Sequence, residues 1–335
     1  MTGTTVFVSG ANGYIAQHIV KQLLAKGYSV VGSVRSSSKG EELKNLVKSD
    51  KFSYEIVPAL GDKGAFDNAL KKHPEVTVFL HTASPVSFSV NDIEKDLLRP
   101  AIDGTVNALQ AIKDHGPQIK KVVITSSAVA NLGWDKYFDG NKIYTEEDWN
   151  PITYQESLEN AASGYYGSKK FAELAALDFI EKEKPNFAVS FVNPVYVFGP
   201  QAYAIKDKAQ LNLSAEVING VAKLGKNDKI APFGSHFVDV RDVARAHLVA
   251  FENEEAISKR LIVASSGFTL DSIAHIINEH FPNSTVPKGD LSRNPEISKT
   301  NIQKVDSSKS NKILGFDLIP LEKSVVDTVQ QIYSV

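Results

Sequence analysis

"VFVSGANGYIAQHIV", residues 6–20, sets the reading of the whole chain. A β-branched and aromatic run ends at Ser9–Gly10. Ile15, Ile19, Leu23 and Leu24 then recur at helical spacing, with Gly27 as the stop. Between the two segments, Gly10 suits a tight turn. Gly13 lets the backbone approach a pyrophosphate at the helix N-terminus, where free N–H groups and the dipole favour anions. Ala16 is small enough for the helix to lie close on the strand. The stretch predicts a dinucleotide-binding turn, with Gly10, Asn12, Gly13, Tyr14 and Ile15 as its contacts. An ordinary strand–helix turn is the competing reading, and the rest of the chain weighs against it.

Working outward, "YSVVGSV" (28–34) precedes "GEELKNLVKS", and "VTVFLHTAS" (76–84) precedes a long helix around 92–115. "KKVVITSS" (120–127) leads through a loop to a helix at 160–183, and "FAVSFVNP" (187–194) follows. Apolar strands alternating with helices predict an α/β fold, a Rossmann-type doubly wound parallel sheet covered on both faces. After Pro194 the rhythm changes. "HFVDVRDVARAHLVAF" (236–251) and "RLIVAS" (260–265) read as a return to the sheet, while "PKGDLSRNPEISKT" (287–300) reads as irregular. The expected organisation is a nucleotide domain at 1–194 plus about 237–265, and a smaller C-terminal lobe at about 195–236 plus 266–335.

Composition narrows the function. A net charge of −2 offers no basic footprint for nucleic acid or an anionic membrane surface. The longest apolar runs, such as "VTVFLH", are too short to cross a bilayer, and no secretory leader is expected in "MTGTTVFVSG". With no cysteine there is no disulfide, thiolate catalysis or zinc–sulfur site. The eight histidines show no metal-binding spacing. A cytoplasmic enzyme acting on small molecules, without a metal, fits these features.

The end of the second strand indicates which nucleotide. NAD-binding units usually carry Asp or Glu about 20 residues after the glycine turn, gripping the ribose 2′-hydroxyl. Here the place reads "VVGSVRSSSK", with Arg35 22 residues after Gly13 and no acid nearby. An arginine can fork onto a 2′-phosphate, helped by Lys39 or the Ser36–Ser38 hydroxyls. The expected cofactor is NADP(H).

A second stretch, "ENAASGYYGSKKFAELAAL" (159–177), holds two pairs at one-turn spacing, Tyr165/Lys169 and Tyr166/Lys170. With eleven tyrosines in the chain, one such pair could arise by chance. A lysine beside a tyrosine is expected to lower the phenol pKa toward the working pH, where a general acid is most effective. "VVITSSAVA" adds Ser127 at a strand end, the sheet edge where open α/β folds bind ligands. Strand-end serine, tyrosine, lysine and an NADP-type turn together form a constellation for carbonyl chemistry.

"FVSGANGYIAQHIV", "LHTASPV", "VVITSSA", "YYGSKKFAE", "NPVYVFGPQ" and "FVDVRDVARAHLVAF" together resemble the extended short-chain dehydrogenase/reductases. The likeness is greatest to the fungal NADPH-dependent methylglyoxal and 3-methylbutanal reductases, with plant dihydroflavonol reductases more distant. It runs from about residue 4 to 265 and thins in the tail. It implies reduction of aldehydes, α-dicarbonyls and ketones. Its Y-x-x-S-K pattern assigns the catalytic pair as Tyr165 and Lys169, leaving Tyr166 and Lys170 as bystanders, and gives Ser127 the carbonyl-holding role. It further implies that Thr82, Ala83 and Ser84 line the cofactor ribose, that Pro194 and Val195 back the nicotinamide, and that the long helices form a homodimer.

Two departures stand out. Ala59 occupies the position where relatives often carry an adenine-contacting aspartate, leaving Leu60 and Asp62 nearby. Val86, Ala128 and Leu132, with Tyr196, make a small and mostly aliphatic pocket rim, which predicts room for bulky ketones. The alternatives are a nucleotide-sugar epimerase or dehydratase of the same fold, against which Arg35 argues, and a non-catalytic NADP sensor, which would not need Ser127, Tyr165 and Lys169. His81 reads as a structural hydrogen-bonder. Asp239, Arg241 and Asp242 read as a fixture of the lobe junction.

Overall fold

The computed structural model describes residues 3–84, 91–204 and 213–334. Strands β1 (Thr5–Ser9), β2 (Ser29–Val34), β3 (Phe52–Ile56), β4 (Val76–His81) and β5 (Lys121–Thr125) alternate with helices α1 (Tyr14–Ala25), α2 (Ser37–Val47), α3 (Asp67–Lys72) and α4 (Arg99–His115). A short strand β6 (Ile143–Tyr144) precedes the long helix α5 (Ala161–Glu183), then β7 (Ala188–Pro194) and β8 (Tyr196–Phe198). The remainder comprises α6 (Leu213–Ala222), β9 (Gly234–Asp239), α7 (Val240–Glu252), β10 (Arg260–Val263), β11 (Ser266–Thr269), α8 (Leu270–His280), α9 (Asn294–Asn301), β12 (Lys304–Val305), α10 (Ser308–Leu314) and α11 (Leu321–Tyr333).

Seven strands form one parallel sheet in the order β3-β2-β1-β4-β5-β7-β10. The strands are apolar throughout because both faces are covered. On β1, Val6 and Val8 point into a core shared with α1 and α7, while Phe7 points into the opposite core with α3 and α4. Strand order reverses between β1 and β4. Parallel α/β sheets open a crevice at such a switch point, outside the carboxyl ends of their strands.

A second sheet, β11-β9-β8, is covered by α6, α8 and α11 around a separate core that includes Phe198, Phe237, Phe268 and Val329. Residues 236–239 therefore belong to this small sheet, and α7, which continues from them, packs on α1. The main sheet regains a strand only at Arg260. The junction is held by Arg241, which donates to Asp239 at 2.7 Å and to Asp327 of α11 at 2.6 Å, while Asp242 accepts the Ile319 N–H at 2.6 Å.

The segment expected to be irregular at 287–300 is instead helical from Asn294. Pro295 sits in the first turn, where a missing N–H costs nothing, so proline here starts a helix. The long helix expected around 92–115 begins with a π-helical turn over Glu94–Leu98 before α4 proper.

Candidate active site

At the end of β1 the chain turns at Gly10, whose φ of +64° lies in the left-handed region. A side chain there would also crowd the backbone of Ala83, 3.0 Å from the Cβ position. Gly13 caps α1 without any side-chain hydrogen bond, leaving the first N–H groups of the helix open to an anion. Ser9 joins this turn to the end of β4. Its hydroxyl bonds His81 Nδ1 and accepts from the N–H groups of Thr82 and Ala83, each at 3.0 Å. His81 is thus a structural bonder, and burial lowers its pKa to about 4.

Ser127 caps a short 3-10 turn (Ala128–Ala130) just beyond β5, and Tyr165 and Lys169 face it from successive turns of α5. The Tyr165 and Ser127 hydroxyls are hydrogen-bonded. Both line a cleft of about 640 Å³ together with Gly10, Gly13, Tyr14, Ile15, Thr82, Ser84, Lys169, Pro194 and Val195. Ala128, Leu132 and Tyr196 line it too, and so do Trp134, Tyr166 and His236, which the sequence reading left out of the pocket. Tyr166, expected as a bystander to the chemistry, lines the pocket wall, its ring stacked against Trp134 with centroids 6.1 Å apart. Lys170 does turn away, donating to the Ile152 carbonyl at 2.7 Å.

Other candidates lie outside this lining. Arg35 is exposed where β2 gives way to α2, and its guanidinium bonds no described residue. Lys39, one turn into α2, pairs with Glu42 at 2.9 Å. The Asn12 carbonyl accepts from Gln17 at 2.8 Å. Leu60 packs on α4 at Gly104, and Asn107 holds its loop by donating to the carbonyls of Gly61 (2.9 Å) and Asp62 (3.0 Å). Val86 lies outside the described residues. No group of three His, Asp or Glu side chains suited to a metal occurs among the described residues.

The expectation that a neighbouring lysine acidifies the phenol needs correction. Burial is the largest influence on Tyr165 and pushes its pKa up, only partly offset by the Ser127 hydrogen bond. An anion in an apolar cleft loses its water, and this raises the phenol pKa. Lys169 is also buried, 7% exposed, and burial brings its pKa down to about 8 against the opposing pull of Glu173. At neutral pH the site therefore presents a protonated phenol beside a largely charged lysine.

Residues 6–264 match the description "NAD dependent epimerase/dehydratase family". The chain belongs to this family. Within the family, it is 42% identical to the NADPH-dependent methylglyoxal reductase of Saccharomyces cerevisiae, covering 98% of each chain. It is 37% identical to an Aspergillus niger ketoreductase, over 97% of this chain and 96% of that one. The crystal structure of Gre2 in complex with NADPH from Candida albicans superimposes with a TM-score of 0.95 at 50% identity, covering 99% of both chains. These findings bear out the resemblance to extended short-chain dehydrogenase/reductases.

Proposed function

We propose that this chain is an NADPH-dependent carbonyl reductase that converts aldehydes, α-dicarbonyls and ketones to alcohols. The observation that carries the reading is the hydrogen-bonded Ser127–Tyr165 hydroxyl pair beside buried Lys169, in the same cleft as the glycine turn. The kinship with a methylglyoxal reductase and a ketoreductase supports it.

The residues present suit the cofactor. The uncapped start of α1 would take the pyrophosphate, unengaged Arg35 the 2′-phosphate, Thr82–Ser84 and Lys169 the ribose, and Pro194–Val195 the back of the nicotinamide. Bound NADPH would supply the hydride. Ser127 and Tyr165 would hold the substrate oxygen, and Tyr165 would pass its proton to that oxygen as negative charge develops. Because burial keeps the phenol protonated, it is ready to donate across the neutral range.

In this reading, 1–194 plus about 240–265 form the cofactor domain and the remainder, with β9 in the small sheet, the substrate lobe, as their separate cores suggest. A homodimer through α4 and α5, which pack on one another and leave Leu177 38% exposed, and a cytoplasmic setting complete it. The test is an NADPH-oxidation screen over small aldehydes, α-dicarbonyls and bulky ketones, with chiral analysis of the alcohols. Stoichiometric consumption of free NADPH is expected. A protein that retains bound NAD and turns over only a nucleotide sugar would be an epimerase or dehydratase instead.

A further inference from the structure

Behind the cleft lies a buried polar cluster that the proposed reaction does not use. Glu173, one turn beyond Lys169 on α5, is 1% exposed. Its Oε1 is ion-paired with Arg260 Nε, and its Oε2 accepts from the Ser126 hydroxyl at 2.7 Å and from Asn193 Nδ2 at 3.0 Å. Asn193 Nδ2 also reaches the Ser127 carbonyl at 3.3 Å. One carboxylate thereby touches the strand ends of β5, β7 and β10 from the helix that carries Tyr165 and Lys169. Arg260 extends the cluster by donating to the carbonyls of Glu146 (2.6 Å) and Asp148 (2.7 Å) and by lying over the Trp149 ring, 3.8 Å from its centroid.

We propose that Glu173 is a positioning residue for the reaction: its buried carboxylate locks α5 to the Ser126–Ser127 strand end and holds Lys169 in its charged form. The inference rests on the carbonyl-reductase reading. A full hydrogen-bond set explains why a charge can be kept here at all, since a buried carboxylate without partners would be strongly destabilising. The ionisable groups around Lys169 are Glu173 and Tyr165 on its own helix and His81 at the end of β4, with Arg260 of β10 behind Glu173. Burial keeps His81 uncharged at neutral pH and Tyr165 protonated, so among the described residues Glu173 is the carboxylate placed to favour the ammonium. A small cavity of about 20 Å³ between Glu173, Lys169, Ser126 and His81 has room for one water to join the two side chains.

The test is the titration of Lys169 in the unliganded protein, followed by NMR of isotopically labelled lysine, alongside the pH dependence of kcat. Glu173→Gln is expected to move the Lys169 midpoint down by about one pH unit, a tenfold loss of charged lysine on the alkaline side. The alkaline limb of kcat should move with it, and Glu173→Asp should restore both. If the glutamine variant does not fold, Glu173→Gln with Arg260→Met removes both members of the ion pair and leaves no unpaired charge. Its Lys169 midpoint is expected to fall in the same way. An unchanged midpoint in a folded variant would overturn the inference. A shifted midpoint in a folded protein that fails to oxidise NADPH with any carbonyl compound would uphold the electrostatic role and defeat the reductase reading alone.

Discussion

The floor of the cleft rests on the ends of β1, β4, β5 and β7 and on α1 and α5, whereas its roof is assembled from the loop at 128–134 and the small sheet, both braced by the C-terminal tail. On the floor, each functional group projects from an element locked into the main core, and buried hydrogen bonds such as Ser9–His81 and Ser126–Glu173 brace it. In the roof, Trp134 follows Gly133, whose carbonyl accepts from Gln303 at 2.8 Å. The Gln303 carbonyl in turn meets His236 at 2.7 Å. Strand β12, immediately after Gln303, pairs with β6 of the same loop region. The difference teaches a division of labour. The floor is placed by the main sheet and the helices packed on it, so its chemistry should serve every substrate. The roof is placed by contacts between segments some 170 residues apart, so it should decide which substrates fit.

If this division holds, floor variants depress all substrates together and roof variants reorder them. Tyr165→Phe should have the largest effect, with turnover falling about 10²–10⁴-fold for every carbonyl compound while NADPH binding, read by fluorescence titration, is retained. Arg35→Ala should raise KM for NADPH by about ten- to a hundredfold and leave NADH use unaltered, as expected when a charge-assisted contact is lost. Lys169 is protonated below its pKa of about 8. Reduction should therefore hold steady below that pH and fall about tenfold per unit above it, with the same limb for small and bulky substrates. Different limbs for the two would break the comparison.

Roof changes are smaller and selective. Ala128→Phe should cut kcat/KM for bulky ketones on the order of tenfold and spare small aldehydes. Equal losses would show that Ala128 belongs functionally to the floor. Tyr166→Phe, on the floor helix α5 but against the roof's Trp134, should alter KM by about threefold or less and leave kcat in place, since only a peripheral hydroxyl is removed. Loss of turnover comparable to that of Tyr165→Phe would reverse the assignment of the two tyrosines.

The sequence by itself determined the alternating strands and helices, the glycine turn, the unacidic second strand and the Tyr–Lys spacing. All of these are local, because side-chain periodicity and backbone freedom act over a few residues. Even so, one-turn spacing could not say what surrounds Tyr166. Only the packing of Trp134 against it reveals a pocket wall. The acidity of Tyr165 was also beyond local reading, because water exclusion by the assembled cleft, not the lysine four residues on, governs the phenol. Tertiary structure alone decided the roof and the Glu173–Arg260 cluster. Such contacts join distant parts of the chain, and their strength depends on burial that no short stretch of sequence encodes.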